Sequence, residues 1–382
     1  MHFSLSEEEE MIRASARRFA SERLAPHAAA LDRGEGRAAL LDNLRDLARN
    51  GFAALNAPVE YGGSAAGAVA FALAIEEFAY ACAATAVTMS VTNMVAEVIA
   101  SVGAHEQKAF YLPRIAEGAY CAAGFCLTEA GAGSDPAGMR LSARRDGDFY
   151  VLNGEKIYIT SAEYAGVFVV WAVTDPTAPK GKGVSVFLVP SDAQGLVIGA
   201  PEKKLGQHGS ATNAVIFDNC RVPAAALMGR ENDGFRVAVG ELAGGRIGVA
   251  ALSLGIARAA MDKAKAYARE RTQFGKKLAE FQGLQWMIAD RETEIEAARL
   301  LILSAAAAKD RGDSFAKAAS MAKLFASETA QRATDTAVQI FGGAGYIEET
   351  GVARHLRDAR ITRIYEGSSE IQRLIIARET LK

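Results

Sequence analysis

The sequence predicts an α+β multidomain protein in which an all-α N-terminal domain, a β-domain and a C-terminal helical domain follow one another. Three observations predict it: the length of 382 residues, a helical hydrophobic period near both ends, and short β-branched runs between them. A single hydrophobic core rarely grows beyond about 250–300 residues, so a chain of this length divides into domains. We place the domains at residues 1–118, 119–225 and 226–382.

The first region has a helical pattern from Ser4 onward. It begins with Ser6-x-x-Glu9, a capping box whose side chains can satisfy free amides at a helix start. Glu76 and Glu77 interrupt an alanine-rich run, so this run is a buried or interface helix rather than a membrane span. We expect the two glutamates on a solvated face.

The middle region consists of short β-branched runs separated by Gly, Asn, Asp and Pro, which predicts strands. Asn153-Gly154 lies between the runs FYVL and KIYIT, and both residues tolerate the positive φ of a type I′ turn. We therefore expect a tight hairpin there. The helical period returns from Arg230 in two long segments that each end at glycine, which predicts a helical bundle.

The composition excludes several functional classes. Lys plus Arg (43) nearly balances Asp plus Glu (45), so the net charge of −2 provides no general attraction for nucleic acid. The cysteines form no C-x-x-C pair and the histidines no H-E-x-x-H pattern, so neither a disulfide framework nor a metal site is indicated. The acidic N-terminus differs from the basic start of a signal peptide, so we expect a cytoplasmic protein.

Two segments of the β-domain could contact a ligand. In Cys126–Asp135, CLTEAGAGSD, the glycines let backbone amides approach a ligand closely, although Pro136 stands where a dinucleotide fingerprint requires glycine. Taken alone, this segment is more simply explained as an ordinary turn. Tyr158 and Thr160 alternate along a strand, so they could stack on and hydrogen-bond a flat ring, or Tyr158 could be a half-buried strand aromatic.

The C-terminal tail could supply a base. Ser369-x-x-Gln372 is typical of a capping box, which would place Glu366 just before the last helix, in a loop made permissive by Gly367. The alternative is a glutamate that merely complements the helix dipole. The segments RTQFG at Arg271 and QIFGG at Gln339 could hold a ligand or simply end helices.

Together these segments resemble the acyl-CoA dehydrogenase family over essentially the whole chain. LTEAGAGSD resembles the first family signature and QIFGGAGYIEETGVARHLRDARITRIYEGSSEIQ the second, with NGEKIYIT and ARERTQFGKKLAEFQ in their expected places between them. The resemblance implies a middle β-barrel-like domain, a C-terminal four-helix-bundle domain, a homotetramer and FAD bound between domains and subunits. Short-chain or branched short-chain members are the most similar.

The resemblance also assigns site residues. The flavin or the thioester would be lined by Phe125, Leu127, Thr128, Gly133 and Ser134. The isoalloxazine would contact Tyr158 and Thr160, and further FAD contacts would be Ser368 and Glu370. The pyrophosphate and adenosine would be held, across a subunit interface, by Arg271, Gln273, Phe274, Gln282, Gln339, Gly342 and Gly343. The substrate would contact Ser134, Arg246, Tyr365 and Gly367.

By the same resemblance, Glu366 removes the α-proton of an acyl-CoA while flavin N5 accepts the β-hydrogen as hydride, and the product is a trans-2-enoyl-CoA. The thioester carbonyl must be polarised for this, and the expected donors are the backbone amide of Glu366 and a ribityl hydroxyl of FAD. An electron-transfer flavoprotein would accept the electrons. No nucleic acid partner and no metal is expected.

Two positions depart from the family pattern. Tyr158 stands where Trp is common, and Ala243 stands where an acidic residue is frequent. Some branched-chain relatives place their base near Gly245 instead, where glycine cannot serve.

Two alternatives to a dehydrogenase remain: an acyl-CoA oxidase that uses oxygen, although the chain lacks the long C-terminal extension of typical oxidases, and a non-catalytic acyl-CoA-binding scaffold.

Overall fold

The computed structural model describes residues 5–382. Residues 1–4, which include the start of the predicted helical region at Ser4, lie outside the described residues. In the described chain a helical region, a sheet and a second helical region follow one another, which confirms the predicted three-part α+β architecture.

The N-terminal domain consists of helices joined by loops in the part that the structure describes. Its α-helices are α1 (Glu7–Phe19), α2 (Ala28–Asp32), α3 (Arg37–Arg49), α4 (Gly67–Ala81), α5 (Ala83–Val102) and α6 (His105–Ala116). The predicted capping box begins α1: Glu9 N donates to Ser6 Oγ (3.2 Å), and Ser6 N donates to the Glu9 carboxylate (2.6 Å). The reciprocal bonds satisfy two amides that a helix start leaves free.

The middle domain is one eight-stranded sheet. Its strands are β1 (Ala123–Cys126), β2 (Ser142–Asp146), β3 (Phe149–Thr160), β4 (Val167–Val173), β5 (Val184–Pro190), β6 (Leu196–Pro201), β7 (Thr212–Pro223) and β8 (Leu227–Met228). The hydrogen-bonded order is β6-β7-β3-β2-β4-β5-β8, and β1 pairs in parallel with β4. Two very short strands, β9 (Thr272–Gln273) and β10 (Lys276–Lys277), form a separate hairpin later in the chain.

Strand β4 joins the two hydrophobic cores of the protein. Val169 and Trp171 belong to the larger core, which the helices share, while Phe168 and Val170 belong to a smaller core within the sheet domain. Because successive strand side chains point to opposite faces, a strand buried on both faces must be apolar at every position, as VFVVWAV is. Trp171 Nε1 also donates to Gly234 O (2.8 Å), which ties the sheet to the first C-terminal helix.

The predicted hairpin at Asn153-Gly154 is wrong. Residues 149–160 form the single continuous strand β3, and the chain reverses at Gly147 instead, between β2 and β3. Gly154 has φ +137° and lies at a bulge, where the register of β3 against β7 shifts. The positive φ of Gly154 therefore belongs to a β-bulge and not to a turn. The runs on both sides of the dipeptide pair with the same strand, β7, so the chain does not reverse there.

The C-terminal domain packs three long helices with two shorter ones. They are α7 (Gly234–Glu270), α8 (Gln282–Asp310), α9 (Ala316–Phe341), α10 (Val352–Arg360) and α11 (Ser369–Thr380). Helix α7 lies against α4 so closely that a Cβ on Gly255 would come within 2.3 Å of Glu76 O. Glycine therefore permits the contact between the two helical domains.

The expectation of a solvated face for Glu76 and Glu77 is also wrong, because both are buried. Glu76 pairs with Arg258 of α7 (2.6 Å) and Arg299 of α8 (3.3 Å). Glu77 pairs with Arg17 of α1 (2.8 Å) and with Arg258 (3.4 Å). Helix α4 is enclosed by other helices, so water cannot hydrate its carboxylates. Ion pairs with arginines stabilise their charges instead.

Two helices, α5 and α7, are long and apolar enough to cross a membrane by length and composition alone. Of their most apolar windows, 83% and 72% of the residues are buried inside the protein. Core helices commonly have this composition, so the match is weak evidence for a membrane span.

Candidate active site

Glu366 lies in a short loop between α10 and α11 that has an unusual backbone. Glu366 has φ +54° and Gly367 has φ +90°, so two consecutive residues adopt left-handed conformations. A Cβ at position 367 would come 2.7 Å from Gln372 Nε2, and glycine avoids this collision. A non-glycine residue at positive φ is held there by its surroundings, and such residues occur often at functional sites.

Two side chains hold this loop through its carbonyl groups. Lys323 Nζ, from α9, donates to Gly367 O (2.7 Å), and Gln372 Nε2 donates to the same oxygen (2.8 Å) and to Glu366 O (3.2 Å). Gln372 is therefore not part of the predicted capping box. The residue preceding α11 is Ser368, whose side chain makes no capping bond, while Ser369 Oγ donates to Glu328 (2.9 Å).

Glu366 is half-buried, and its carboxylate lies near two buried cations, Arg246 and Lys323. Its Oε2 is buried with no hydrogen-bond partner in the described chain, and the same is true of Arg246 Nε. Burial raises the pKa of Glu366, while the positive charges of Arg246 and Lys323 oppose this rise. Lys323 is fully buried, and its burial lowers its pKa to about 8 although Glu366 opposes that shift.

Helix α7 leaves space beside this carboxylate. A Cβ on Gly245 would come 3.2 Å from Glu366 Oε2 and 2.6 Å from Met94 Sδ, so a larger residue would displace one of them. One turn further along, a Cβ on Gly248 would come 2.4 Å from Ser90 Oγ and 3.2 Å from the Phe71 ring. Helix α7 therefore packs closely against Ser90 and Phe71 one turn beyond Gly245.

Towards the exposed start of α7, a second group of ionisable side chains lies near Glu366. A Cβ on Gly244 would come 3.0 Å from Lys309 Nζ and 3.6 Å from Glu97 Oε2, and these two side chains form an ion pair (2.5 Å). Burial raises the pKa of Glu241 to about 8, with the charge of Glu97 contributing next. The surroundings of α7 are therefore polar near Gly244, whereas Ser90 and Phe71 pack against it near Gly248.

The glycine-rich segment of the β-domain is anchored by Glu129. Its carboxylate accepts hydrogen bonds from Arg140 N (2.7 Å), Leu141 N (2.9 Å) and the Lys156 ammonium (2.8 Å). Burial alone would raise the pKa of Glu129, but Lys156 and the backbone donors hold it below its usual range. The anchored turn leaves Gly131 and Gly133 exposed, and a Cβ at either would meet no atom within 4 Å. A ligand can therefore approach this backbone.

Replacing Lys156 is expected to destabilise the β-domain strongly. In Lys156→Met the Glu129 carboxylate loses its cation while still buried, and breaking one partner of a buried pair costs about 3–5 kcal/mol. Denaturant unfolding should show this loss, whereas the exposed Lys203→Met should change stability by less than about 0.5 kcal/mol. Equal stability of the two variants would contradict the anchoring role.

The predicted ring-contacting pair lies on the accessible side of β3. Tyr158 is 63% exposed and has φ +58°, Thr160 is half-buried, and Ile159 between them is buried. The register of β3 against β7 shifts between Lys156 and Ile159, so a second bulge turns the Tyr158 side chain outward. Phe125 packs on Trp171 (ring centroids 4.4 Å apart), Leu127 is buried and Thr128 is half-buried.

A second set of predicted cofactor residues lies on the outer surface of the C-terminal domain. Phe274 is 94% exposed, and its neighbours in this set are exposed as well: Arg271, Gln273, Gln282, Gln339, Gly342 and Gly343. The stacked rings of Tyr267 and Phe341 (4.2 Å) hold the ends of α7 and α9 together and so bring the two segments side by side. Within one protomer these residues contribute an exposed surface rather than an enclosed site.

The sequence analysis identified the Glu366 loop but missed what supports it. Tyr365 and Arg246, both predicted as substrate contacts, lie near Glu366, while Glu370 points to solvent. Lys323 was missed, although one signal was available: it shares the buried face of α9 with Ala319, Ala326 and Ala330. A lysine on the apolar stripe of an amphipathic helix requires a partner, and that partner is Gly367 O.

Three family descriptions match the chain. They are acyl-CoA dehydrogenase, N-terminal domain, over residues 6–119; middle domain, over residues 124–220; and C-terminal domain, over residues 232–381.

Full-length relatives agree with these matches. The short-chain-specific acyl-CoA dehydrogenase of Clostridium acetobutylicum is 41% identical over 379 residues, which covers 99% of each chain. The structure of butyryl-CoA dehydrogenase from Megasphaera elsdenii is 38% identical, with a TM-score of 0.96 over 100% of both chains. A chain in the structure described as the electron transferring flavoprotein of Acidaminococcus fermentans is 40% identical, with a TM-score of 0.97 over 100% of both chains. The chain therefore belongs to the acyl-CoA dehydrogenase family of FAD-dependent oxidoreductases.

Proposed function

We propose that this protein dehydrogenates a short or branched short-chain acyl-CoA to the trans-2-enoyl-CoA, with Glu366 as the base that removes the α-proton. The observation that carries the proposal is the carboxylate of Glu366, whose buried Oε2 has no hydrogen-bond partner in residues 5–382 and is therefore free to take a proton. Geometry comes before pKa in choosing a base, and burial then moves its pKa upward, towards the working pH.

The residues around Glu366 would activate the substrate. The backbone N–H of Glu366 donates no hydrogen bond within the described chain, so it is available to a thioester carbonyl oxygen. Such a donor stabilises the negative charge that develops on that oxygen when the α-proton leaves. Lys323 and Gln372 hold the two carbonyl groups of this loop and so fix the direction of the amide. Arg246 and Tyr365 would contact the substrate, together with Ser134 and Gly367.

The side chains present fit FAD. Gly131 and Gly133 leave open space beside their backbone, and Tyr158 is exposed on the bulged strand β3. Phe125, Leu127, Thr128, Ser134 and Thr160 would complete the flavin end of the site, with Ser368 and Glu370 near the catalytic loop. When bound, FAD accepts the β-hydrogen as hydride and so supplies the redox chemistry.

The exposed set around Phe274 favours an assembly of several subunits. We propose a homotetramer in which this surface, from Arg271 to Gln282 and from Gln339 to Gly343, completes the FAD site of a neighbouring copy. An exposed aromatic beside glycines with open Cβ positions is costly in water but suited to a cofactor held at an interface.

The similarity to a chain in the flavoprotein structure from Acidaminococcus fermentans supports an electron-transfer flavoprotein as the electron acceptor.

The function is tested by mixing the FAD-loaded protein, without oxygen, with a panel of straight and branched acyl-CoAs and recording the oxidised flavin absorbance. Bleaching by a short acyl-CoA supports dehydrogenation. Peroxide formed at the same rate in air would identify an oxidase, and a colourless protein that refuses added FAD would identify a binding scaffold. No bleaching by any thioester, with FAD bound, would contradict the proposed reaction.

The same panel tests the expected limit on acyl length. Because Ser90 and Phe71 close the space one helical turn beyond Gly245, acyl groups of about four or five carbons should reduce the flavin, and long straight chains should not. The comparison uses initial rates at saturating thioester. Faster bleaching by a long-chain acyl-CoA than by a short one would contradict this limit without affecting the assignment of Glu366.

A further inference from the structure

A cavity of about 420 Å³ lies between α1, α4, α7 and α10, lined by none of the residues assigned to FAD or substrate. Its walls include Arg17 and Ala20 of the N-terminal helices, Glu77 and Tyr80 of α4, and basic residues of the C-terminal domain. The lining residues from the C-terminal domain are Arg258, Ala259, Lys263, Arg354 and His355. The cavity is therefore rich in positive charge.

Two of the four cations already form ion pairs. Arg17 and Arg258 both pair with Glu77, the one carboxylate among the residues that line the cavity. Lys263 and Arg354, in contrast, have no carboxylate within ion-pair distance in residues 5–382. Lys263 Nζ reaches only Thr350 O, at 3.5 Å, and Arg354 donates no hydrogen bond to any residue in that range. Neither cation is therefore in a direct ion pair, although Arg354 lies close enough to Asp32 and Asp358 to oppose the effect of burial on the pKa of both carboxyl groups.

The basic groups here repel one another. The stem of the exposed Lys263 side chain is partly desolvated, which lowers the pKa of its ammonium group, and the charge of Arg354 lowers it further. Burial lowers the pKa of His355 to about 3, with Arg354 and Lys263 contributing in the same direction, so this imidazole is neutral. His355 is 3% exposed, and its Nε2 has no hydrogen-bond partner within the described residues. An anion would relieve the repulsion and could accept hydrogen bonds from these groups.

We propose that this cavity binds the phosphoryl group of a small anion, with Lys263 and Arg354 as its main ligands. A phosphoryl group offers several oxygens in different directions, which matches donors that come from two helices. The volume exceeds that of a single phosphate, and part of the wall is apolar: Ala20, Ala25, Ala81 and Ala259. The ligand is either inorganic phosphate or a phosphate ester with a small organic body.

The proposal is tested by calorimetric titration of the FAD-loaded protein with sodium orthophosphate, with glycerol 3-phosphate and with glycerol, at constant ionic strength. Saturable heat is expected for both phosphates and none for glycerol. Tighter binding of glycerol 3-phosphate would identify a phosphate ester as the ligand class, and equal or tighter binding of orthophosphate would identify the inorganic ion. No saturable heat with either phosphate would overturn the proposal.

Variants locate the binding. Lys263→Gln and Arg354→Gln should each weaken phosphate binding by at least about tenfold, since each removes a charge-assisted contact. Arg360→Gln removes one positive charge from the exposed end of the same α10 and should leave binding unchanged. Circular dichroism and retained flavin absorbance show whether each variant is folded, and the exposed Lys263 provides the test if Arg354→Gln is not. Undiminished binding in Lys263→Gln, or an equal loss in Arg360→Gln, would overturn the assignment to this cavity.

Discussion

The Glu366→Gln variant is expected to bind FAD and acyl-CoA normally and to reduce its flavin about 10²–10⁴-fold more slowly than the unmodified protein. The amide keeps the shape of the carboxylate but cannot take the α-proton, and positioned general bases contribute a factor of this size. The backbone N–H and the Gly367 carbonyl that the loop depends on remain in place. Anaerobic stopped-flow mixing with the best substrate of the panel measures the rate.

The matched control is Glu349→Gln, which alters an exposed glutamate in the turn preceding α10. It should reduce flavin at the unmodified rate. If Glu366→Gln retained a rate within a few-fold of the unmodified protein, another group would have to be the base. If it lost FAD instead, the loss of turnover would say nothing about proton abstraction, so flavin absorbance must be recorded for each preparation.

The Lys323→Met variant is expected to need a higher pH for the same activity. Glu366 acts as a base only when it is deprotonated, and burial already raises its pKa, so activity should fall as the pH drops through that raised value. Lys323, with a pKa of about 8, is charged below that pH and then favours the Glu366 carboxylate. Removing the charge should raise the pH at which the rate begins to fall, by about one unit or more. At a pH below that point the variant should therefore be about tenfold slower than the unmodified protein.

The pH dependence separates an electrostatic role of Lys323 from a merely structural one. Methionine fills a similar volume but leaves Gly367 O with Gln372 as its remaining donor, so some loss of rate at every pH is also expected. Lys317→Met, on the same helix but outside the Glu366 loop, controls for the loss of a positive charge from α9. A lower rate without any shift of the acid limb would show that Lys323 only supports the loop and does not tune the base.

Local sequence patterns were sufficient to predict the order of the three regions and the position of Glu366 just before the last helix. Helical and strand periods are set by neighbours a few residues apart, which is why the capping box at Ser6 and the uninterrupted apolar strand β4 follow from the sequence. Gly367 permits the left-handed backbone beside Glu366, and glycine is a residue type whose requirement can be predicted. The family resemblance added the chemistry that these patterns could not supply.

Tertiary structure decided which side chains are buried and what they contact. Asn153-Gly154 has the composition of a hairpin turn, but β7 pairs with both flanking runs and makes the dipeptide a bulge. Glu76 and Glu77 break an apolar run, yet arginines from three other helices allow them to be buried. Gln372 has the spacing of a capping box, but the Gly367 carbonyl offers its amide a closer partner.

The surroundings of Glu366 show most clearly the difference between what the sequence determines and what the fold determines. The sequence determines that a glutamate followed by glycine precedes the last helix, because that arrangement involves adjacent residues. Only the folded protein brings Lys323 and Arg246, which lie 43 and 120 positions earlier in the sequence, to the same carboxylate. Contacts of this separation depend on how whole helices pack, and the buried cations that tune Glu366 are fixed by that packing rather than by any local pattern.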